Sequence, residues 1–416
     1  MKLNKKENFK LTWFRYSLYG LPSSPIAAAQ MIVYIAIPPL YSTKPEIGLV
    51  LVGLTLMFSR LLDMVTDPIL GNYLDIWVSK TGWGVWFISS WPLLSFGMYI
   101  LLNPSSDNPF LNLSIGLILV TIGWTIFSLS WWSMGIAISE NSITRLKLIS
   151  VREGFAIPGV IFGGLAPFIF QNSGAVFFLA SLLLLAPMFL KEAPIQIKKN
   201  FKNKGFLFLI KSLLKENSNF KNLLKAYFFL GLSNGLTSVL FILFVSYIIG
   251  GKPYVYLFVY FISAFLGIPI VSYLGANYGK RKIWMLGMIL SCVFFCPVVT
   301  LGYGDFTYFI VICSFTGLCL SADLSMPTSI QADIIANAEE NYRQNLAGRY
   351  YAIWSLVQKL ALALSAGLGL SLLSIFGFDP NNQESNFSIL SLAYGILPII
   401  FKIPAIIYSS YIKEKF

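Results

Sequence analysis

The sequence reads SRLLDMVTDPILGNYLD from Ser59 to Asp75. Inside this otherwise apolar run, Arg60, Asp63 and Asp67 follow one another at spacings of three and four residues, so a helix would place them on one stripe. A charge near the middle of a bilayer costs at least ~2.5–3.5 kcal/mol on insertion scales, and such residues usually mark function. The stripe therefore predicts an ion or substrate site that faces a polar interior. A buried salt bridge that locks two helices together is the alternative.

The composition indicates an integral membrane protein. Of the 416 residues, 56% are hydrophobic and 12% are charged, whereas soluble domains carry ~25% charged residues. Long apolar runs at regular intervals indicate helices, because β-barrel strands would show only ~10-residue alternating segments. The net charge of +12 does not predict a nucleic-acid partner, because most Lys and Arg residues stand in short loops between apolar runs, where they set topology.

About twelve apolar segments are long enough to cross a bilayer, at ~20 residues per crossing. They lie near residues 17–41, 47–76, 85–103, 111–137, 153–171, 175–191, 225–249, 254–275, 283–303, 307–335, 349–376 and 388–411. A basic linker at 192–224 divides them six and six. Residues 206–214 within it, FLFLIKSLL, predict either an amphipathic helix on the membrane surface or a plain basic linker. The expected organisation is therefore two six-helix halves, 1–191 and 225–416, which is the plan of many secondary transporters.

Alternate loops differ sharply in charge. One set contains the amino terminus and most basic loop residues, including Arg145, Lys280 and Arg343, whereas the other set contains only Lys44 and Lys252. The positive-inside rule then predicts that both termini and the linker lie in the cytoplasm, in a multi-pass protein of the cell (inner) membrane. The basic start runs into a first span too long for the apolar region of a cleavable signal peptide.

The sequence lacks residues that several kinds of catalytic and metal-binding site require. The chain contains no histidine, which excludes His-based proton relays, Ser–His triads and His metal sites. Four cysteines fall inside two predicted spans, and we interpret them as packing residues rather than as a disulfide or a metal site. No sizeable extramembrane domain is apparent either. We therefore expect no enzyme, no cofactor and no metal beyond a coupling cation.

Other predicted spans also contain charged residues. Lys359 in span eleven is the best candidate partner for the acids of span two, because a cross-half ion pair could form in one state and break in another. A static pair is the alternative. Asp323 lies in span ten, Lys402 in span twelve, and Arg152 and Glu153 begin span five. Such residues usually pair or line a wet cavity, although Lys402 could equally serve packing or snorkel.

Prolines and glycines predict where helices bend or end. Pro68 follows the second acid of the stripe, and Pro22 and Pro25 stand in span one. Each removes a helical hydrogen bond and loosens one turn. The sequences GNYLD at 71–75 and LGANYG at 274–279 echo one another, and they predict tight turns that end the second helix of each half.

The run from Arg60 to Gly71 (RLLDMVTDPILG) resembles the glycoside–pentoside–hexuronide:cation symporter family, the melibiose permease family of the major facilitator superfamily. The resemblance covers nearly the whole chain: Trp132 ends span four, Arg152 opens span five and Asp333 closes span ten. It implies the major facilitator fold of twelve helices and symport of a small molecule with Na⁺, Li⁺ or H⁺.

The resemblance also implies roles for particular residues. Asp63 and Asp67 would ligate the cation, with Thr66 and Thr125 as hydroxyl ligands. This agrees with physical expectation, because two carboxylates one helical turn apart repel and a cation between them relieves the repulsion. The residues implied near the substrate or in coupling are Arg60, Arg152, Lys359, Trp132, Ser128 and Tyr19, and Asp323, Lys402 and Glu153 are further candidates.

The sequence departs from the sugar-binding members at two acids. Those members carry an acid in span one after a Tyr-Gly motif, whereas the run from Tyr19 to Ser23 contains none, and the acid four residues before the span-four tryptophan is Ser128 here. The resemblance thus implies retained cation coupling with an altered substrate. Trp131 and Trp132 could be interfacial anchors or a stacking wall for a ring-shaped substrate.

Together these features predict a monomeric secondary active transporter that moves a small polar, sugar- or glycoside-like solute with a cation by alternating access. A lipid-type or proton-coupled carrier of the same superfamily is one alternative. A non-transporting membrane sensor is another, and it would tolerate loss of the span-two acids.

Overall fold

The computed structural model describes residues 12–33, 37–42, 48–104, 108–169, 173–190, 217–342, 345–375 and 387–414. These residues form helices and turns, with no strand among them. The α-helices are α1 (Trp13–Gly20), α2 (Ser23–Met31), α3 (Ile37–Ser42), α4 (Gly48–Leu102), α5 (Pro109–Ile138), α6 (Ser142–Ile169), α7 (Ser173–Ala180), α8 (Ser218–Phe244), α9 (Pro253–Tyr278), α10 (Lys280–Phe295), α11 (Phe306–Tyr342), α12 (Ala347–Ile375) and α13 (Phe387–Ser410). A 3₁₀ helix, Ser181–Phe189, extends α7, a π-helix, Val245–Ile249, extends α8, and a 3₁₀ helix, Cys296–Thr300, extends α10. The predicted amphipathic segment at 206–214 lies outside the described residues.

Within the described chain, seven helical segments are long and apolar enough to cross a membrane. They are Leu51–Leu102, Pro109–Ile138, Ser218–Ile249, Pro253–Tyr278, Lys280–Thr300, Phe306–Tyr342 and Ser388–Ser410. The other predicted crossings correspond to the series α1–α3, to α6, to α7 with its 3₁₀ extension, and to α12. The expected all-α membrane fold is confirmed.

Helix α4 contains two of the predicted crossings because the chain reverses at Gly82. This residue has φ 76° and ψ 166°, a left-handed conformation that glycine adopts without a Cβ penalty. On either side of the reversal, Asp67 and Leu94 approach the same turn of α5, residues 123–125. The turn predicted at 71–75 is wrong, because no residue there breaks the helix before Gly82.

Helix α6 begins at Ser142, well before the predicted start near residue 153. Just ahead of it, the Asn141 side chain accepts a hydrogen bond of 2.9 Å from the Thr144 N–H and satisfies one of the exposed donors of the first turn. Arg152 and Glu153 therefore lie inside the helix rather than at its start. Both residues therefore lie deeper in the protein than the sequence predicts.

The break predicted in span one is present. Helix α1 ends at Gly20 and α2 begins at Ser23, on either side of Pro22. A Cβ at Gly20 would lie 2.7 Å from the Phe155 ring, so the glycine allows α1 to pack closely against α6.

Buried apolar side chains form separate clusters in the N-terminal half (described residues up to 190) and in the C-terminal half (described residues from 217). Phe127 belongs to the first cluster and Phe244 to the second. A further cluster joins the halves, with Leu74 and Ile149 from one and Tyr350 from the other. The halves are therefore held together by apolar contact around the point where α4, α6 and α12 meet.

Candidate functional site

A buried group of four side chains, which we call the central cluster, lies between α4, α5 and α12. Lys359 Nζ lies 2.7 Å from Asp67 Oδ2 and 3.3 Å from Asp63 Oδ2. Thr125 donates a hydrogen bond of 2.9 Å to Asp67 Oδ1 and a longer one of 3.5 Å to Asp63 Oδ1. Asp63 and Asp67 are only 7% and 2% exposed. The ion pair predicted between spans two and eleven is present, and it joins the two halves.

One other expected member of this group, Thr66, does not join it in the described structure. The Thr66 hydroxyl donates to the backbone carbonyl of Asp63 at 3.4 Å, on its own helix, rather than to a carboxylate. The side chain of Arg60 lies outside the described residues. Among the described side chains, the oxygen ligands available to a cation are therefore those of Asp63, Asp67 and Thr125.

The charges of the central cluster do not balance. Two carboxylates and one ammonium leave one net negative charge on its described members. A lysine presents a compact point charge on a flexible stem, so it can leave the carboxylates when another cation binds there. One monovalent cation would bring the cluster, with Lys359 still nearby, to zero net charge.

A cavity of about 280 Å³ lies between the halves beside the central cluster. This volume is near the lower end of the ~300–1,000 Å³ usual for small-molecule sites. Its charged lining residues are Asp63, Glu153, Asp323, Arg152 and Lys359, and its aromatic lining residues are Trp124, Trp131, Trp132, Tyr227, Tyr351 and Trp354. Aromatic walls with a few converging charged groups are typical of sites for polar organic ligands.

Arg152 is fixed in the cavity wall by an acid and two tryptophans. Its guanidinium donates hydrogen bonds of 2.6 and 3.0 Å to Glu153 Oε1. It also lies 5.8 Å from the ring centre of Trp131 and 5.7 Å from that of Trp132, within cation–π range. Because both tryptophans line the cavity, the structure favours the stacking-wall interpretation over the interfacial anchor.

Tyr19 and Ser128 lie behind this wall. The Tyr19 hydroxyl donates to the Trp131 carbonyl at 3.5 Å, and the Trp131 indole N–H donates to the Tyr19 carbonyl at 3.0 Å. Ser128 is 2% exposed, and its hydroxyl has no hydrogen-bond partner in the described structure. Neither is among the described residues that line the cavity. Tyr19 nevertheless interacts with Arg152, which does line the cavity.

A second buried carboxylate–lysine pair lies within the C-terminal half. Lys402 Nζ is 3.2 Å from Asp323 Oδ2 and donates a hydrogen bond of 2.8 Å to Ser291. Asp323 lines the cavity, whereas Lys402 is not among the described lining residues. Lys402 therefore holds Asp323 from behind rather than meeting a bound solute directly.

The halves also meet through a contact that we call the Asp75 latch. Asp75, near the end of the first arm of α4, accepts hydrogen bonds of 2.8 and 3.1 Å from the backbone N–H groups of Gly348 and Arg349, in the first turn of α12. A carboxylate in this position satisfies free helix donors and complements the helix dipole. Arg349 donates to Asn72 at 2.9 Å, and a Cβ on Gly71 would lie 2.5 Å from the Gly348 carbonyl.

A second inter-half contact, the Asp333 latch, lies at the same end of the bundle. Asp333 on α11 meets Arg145 on α6 and Lys280 on α10, each at 2.6 Å. Ser142 donates a further hydrogen bond of 2.7 Å to Asp333. The sequence predicted Lys280 as a loop residue, but it begins α10 and is only 6% exposed.

The latches close one end of the bundle, and the cavity extends away from them. Lys359 follows Gly348 by 11 positions on α12, or about 16 Å along the helix axis, which is near the middle of a ~30 Å hydrocarbon core. Leu117 on α5 and Leu362 on α12 continue the lining toward the opposite end. The site therefore combines a mid-membrane charge cluster, a cavity and one closed end.

The sequence also matches a family model described as MFS/sugar transport protein, over residues 18–412. The chain belongs to this family. MFS/sugar transport proteins are membrane carriers, so this chain is a transporter rather than an enzyme, and it is a multi-pass membrane protein with the major facilitator fold.

Similar proteins agree with this membership. The chain is 21% identical over 385 residues to the protein named "Uncharacterized symporter YjmB" of Bacillus subtilis (strain 168), covering 84% of this chain and 80% of that protein. The structure of a variant of the E. coli fucose:proton symporter FucP is similar with TM-score 0.65 and 12% identity, covering 96% of this chain and 98% of that one. A bacterial homologue of the iron transporter ferroportin, in an outward-facing state, has TM-score 0.70 and 13% identity, covering 96% of this chain and all of that one. At these identities the structures support the major facilitator fold alone.

Proposed function

We propose that this MFS/sugar transport protein is a cation-coupled symporter of a small, sugar-like solute, in the branch of the glycoside–pentoside–hexuronide:cation symporters. One observation carries the proposal: the buried central cluster lies directly beside the cavity. Asp63 belongs both to the cluster and to the cavity lining. A cation bound there would therefore touch the space that a solute fills.

Cation binding would proceed by exchange with Lys359. In the present geometry the lysine occupies the carboxylate oxygens of Asp63 and Asp67. Na⁺ or Li⁺ would take these oxygens and the Thr125 hydroxyl as ligands, whereas H⁺ would neutralise one carboxylate. In either case the attraction that ties α4 to α12 weakens, so occupancy of the site changes the energy of moving one half against the other.

Alternating access would use the two latches as the gate of one end. They lie at the end with the basic loops, which the positive-inside rule assigns to the cytoplasm of an inner membrane. On this orientation the cavity faces outward, and both latches open when the carrier turns inward. The cross-half pair of Lys359 would break in that movement.

The lining favours a small polar solute over a lipid. The cavity has a volume of about 280 Å³, and five charged and six aromatic residues are among those that line it. A non-transporting sensor is disfavoured as well, because it would have no need of a buried charge cluster beside a solute cavity.

The test is uptake by the purified protein in liposomes, with radiolabelled hexoses, glycosides and uronates under imposed Na⁺, Li⁺ or pH gradients. Asp67→Asn should abolish gradient-driven uptake, because a cation loses one of its two carboxylate ligands while Lys359 stays paired with Asp63 in a cluster without net charge. Asp63→Asn should act in the same direction.

Asp305→Asn is the matched control. Asp305 accepts a hydrogen bond of 2.8 Å from the Gly302 N–H just before α11, and asparagine can accept the same bond. This variant should transport as the unmodified protein does. Ion-driven uptake that is unchanged in Asp63→Asn or Asp67→Asn would overturn the proposal.

A further inference from the structure

Gln331 on α11 is a buried amide without a hydrogen-bond partner. The residue is fully buried, and neither its amide nitrogen nor its amide oxygen meets a partner among the described residues. No other described side chain has both a nitrogen and an oxygen atom in this state. Buried polar atoms are nearly always paired. The free energy of this form of the protein therefore includes the cost of removing an amide from water without compensation.

The amide of Gln331 differs from the hydroxyl groups buried in the same helix. Hydroxyls on helices can turn to the carbonyl four residues earlier on their own helix, and Ser325 and Thr328 do so at 2.5 Å. A glutamine side chain carries two N–H donors and a carbonyl acceptor, which the backbone of its own helix does not satisfy together. Partners for Gln331 must therefore come from another element or from water.

Gln331 lies on the face of α11 that points toward the N-terminal half. Leu324 and Thr328 line the cavity between the halves, and Gln331 follows them at spacings of seven and three, which places it on the same face. Leu320, four positions before Leu324, packs in an apolar cluster with Ile157 of α6. Gln331 thus continues the cavity face toward the latched end, although it is not itself among the described lining residues.

The Asp333 latch lies directly beyond Gln331 along α11. Asp333 is two positions further on, about 3 Å along the helix axis, and its partners Arg145 and Lys280 close that end of the bundle. When the halves part there, the face of α11 that points toward the N-terminal half is uncovered. Water can then reach the Gln331 amide and supply the missing hydrogen bonds.

We infer that Gln331 opposes the two latches. Its unpaired amide destabilises the latched form, in which both latches are closed, and hydration of the amide stabilises the form that is open at this end. The inference rests on the proposed function, because it requires that the latches open during transport. The ion pairs and hydrogen bonds of the latches hold the halves together, and a carrier must also release them. An uncompensated amide beside the Asp333 latch lowers the free energy of opening without weakening any latch contact.

Gln331→Met tests this inference, because methionine has a similar length and flexibility but no amide. Spin labels on the two halves at the latched end give the ratio of open to latched protein by electron paramagnetic resonance. The ratio should fall about tenfold relative to the unmodified protein, which is the effect of removing one buried unpaired polar group. The comparison is repeated with Asp75→Asn added to both proteins, so that the open form is populated enough for a decrease to be measured.

The same variant should separate stability from transport. Its melting temperature in detergent should rise, because the latched protein no longer buries an unpaired amide. Its initial rate of uptake in liposomes should fall, because the gate opens less often. A glutamine that is paired, or that serves only packing, would give a lower melting temperature when it is replaced. Gln331→Leu is the second variant, with the same expected directions, if Gln331→Met fails to fold.

Ser329→Ala is the matched control. Ser329 is also fully buried with an unpaired hydroxyl, but it lies about 200° around α11 from Gln331. It shares a face with Ala322, seven positions earlier, and a Cβ on Gly287 of α10 would lie 2.7 Å from the Ala322 Cβ. This face points into the C-terminal half, and opening does not uncover it. The substitution should therefore leave the ratio of open to latched protein within about twofold.

Two results would overturn the inference and leave the proposed function standing. One is a ratio of open to latched protein in Gln331→Met that equals or exceeds the ratio in the unmodified protein. The other is an equal fall in Gln331→Met and Ser329→Ala, which would trace the effect to the loss of any polar group from α11. If the spin labels show no opening at the latched end in any of these proteins, with or without cation, the proposed alternating access fails and the inference fails with it.

Discussion

Carboxylates join the two halves of the bundle in two different ways. In the latches, Asp75 accepts two backbone N–H groups of a helix end, and Asp333 meets an arginine, a lysine and a serine hydroxyl. In the central cluster, Asp63 and Asp67 share one lysine and one threonine hydroxyl beside a cavity. The latch carboxylates use donors that belong to the fold. The cluster carboxylates use a side chain that another cation can replace.

Because of this difference, the latches and the central cluster have different roles in transport. None of the latch residues Asp75, Asp333 and Lys280 is among the described residues that line the cavity, so a bound ion does not reach their contacts and the latches serve as a gate. The Lys359 ammonium lies in the cavity lining and can be exchanged for a bound ion, so the cluster can sense occupancy. Coupling requires both, because ion exchange at mid-membrane must change the cost of opening the gate about 16 Å away.

Asp333→Asn should produce the largest change in the gate. It leaves the buried Lys280 with no carboxylate partner in that latch, and breaking a buried pair costs ~3–5 kcal/mol. Asp75→Asn should cost less, because an amide oxygen can still accept from the helix end and Arg349, whose Nε lies 3.7 Å from Asp75, keeps its hydrogen bonds to Asn72. Electron paramagnetic resonance distances between spin labels on the two halves at the latched end should show more of the open form in Asp333→Asn. An equal or smaller shift than in Asp75→Asn would contradict the distinction between the latches.

Gly71→Ala should have a smaller effect on the same gate. The added methyl would lie 2.5 Å from the Gly348 carbonyl, and overpacking of this kind costs ~1–3 kcal/mol. Uptake should fall about tenfold as the latched form becomes rarer. Gly53→Ala on the same arm of α4 is the control, since a Cβ there meets nothing within 4 Å. Equal effects of the two substitutions would argue against close packing at the latch.

Ser128→Ala should change least. The hydroxyl makes no hydrogen bond in the described structure and does not reach the cavity lining described here, so its loss removes no interaction with ion or solute. Uptake and sugar affinity should stay within about twofold, because a substitution that removes no contact seldom costs more than ~0.5 kcal/mol. A strong loss of sugar affinity would mean that this position still takes part in substrate binding.

The sequence predicted the central pairing better than the latches. Asp63, Asp67 and Lys359 stand out because a charge inside an apolar span needs a partner, and only a few are available. Asp75 and Lys280 lie near helix ends, where charges are ordinary, and their partners come from distant parts of the chain. Asp75 contacts Gly348, which is 273 positions away in the sequence. A single glycine does not predict that another helix packs closely against it. Such contacts depend on how the halves pack rather than on local periodicity.

The same reasoning applies to the cavity wall. Asp323 and Glu153 could be recognised as intramembrane charges, but periodicity does not show that Lys402 pairs with Asp323 or that both acids line one cavity. The sequence leaves two interpretations of Trp132 open, and its place in the cavity lining separates them. The start predicted for α6 is too late in the sequence, because the charged residues of its first turns resemble a loop.

The most direct test of the central claim is the thermal unfolding of the purified protein in detergent, titrated with Na⁺, Li⁺ and H⁺. A ligand that binds only the folded protein stabilises it by ~2.7 kcal/mol at 100 times its Kd. One of these cations should raise the melting temperature of the unmodified protein and of Asp305→Asn, and should lose this effect in Asp67→Asn. An identical cation-dependent rise in Asp67→Asn, or no rise in the unmodified protein with any of the three cations, would contradict the claim and leave the central cluster a static ion pair.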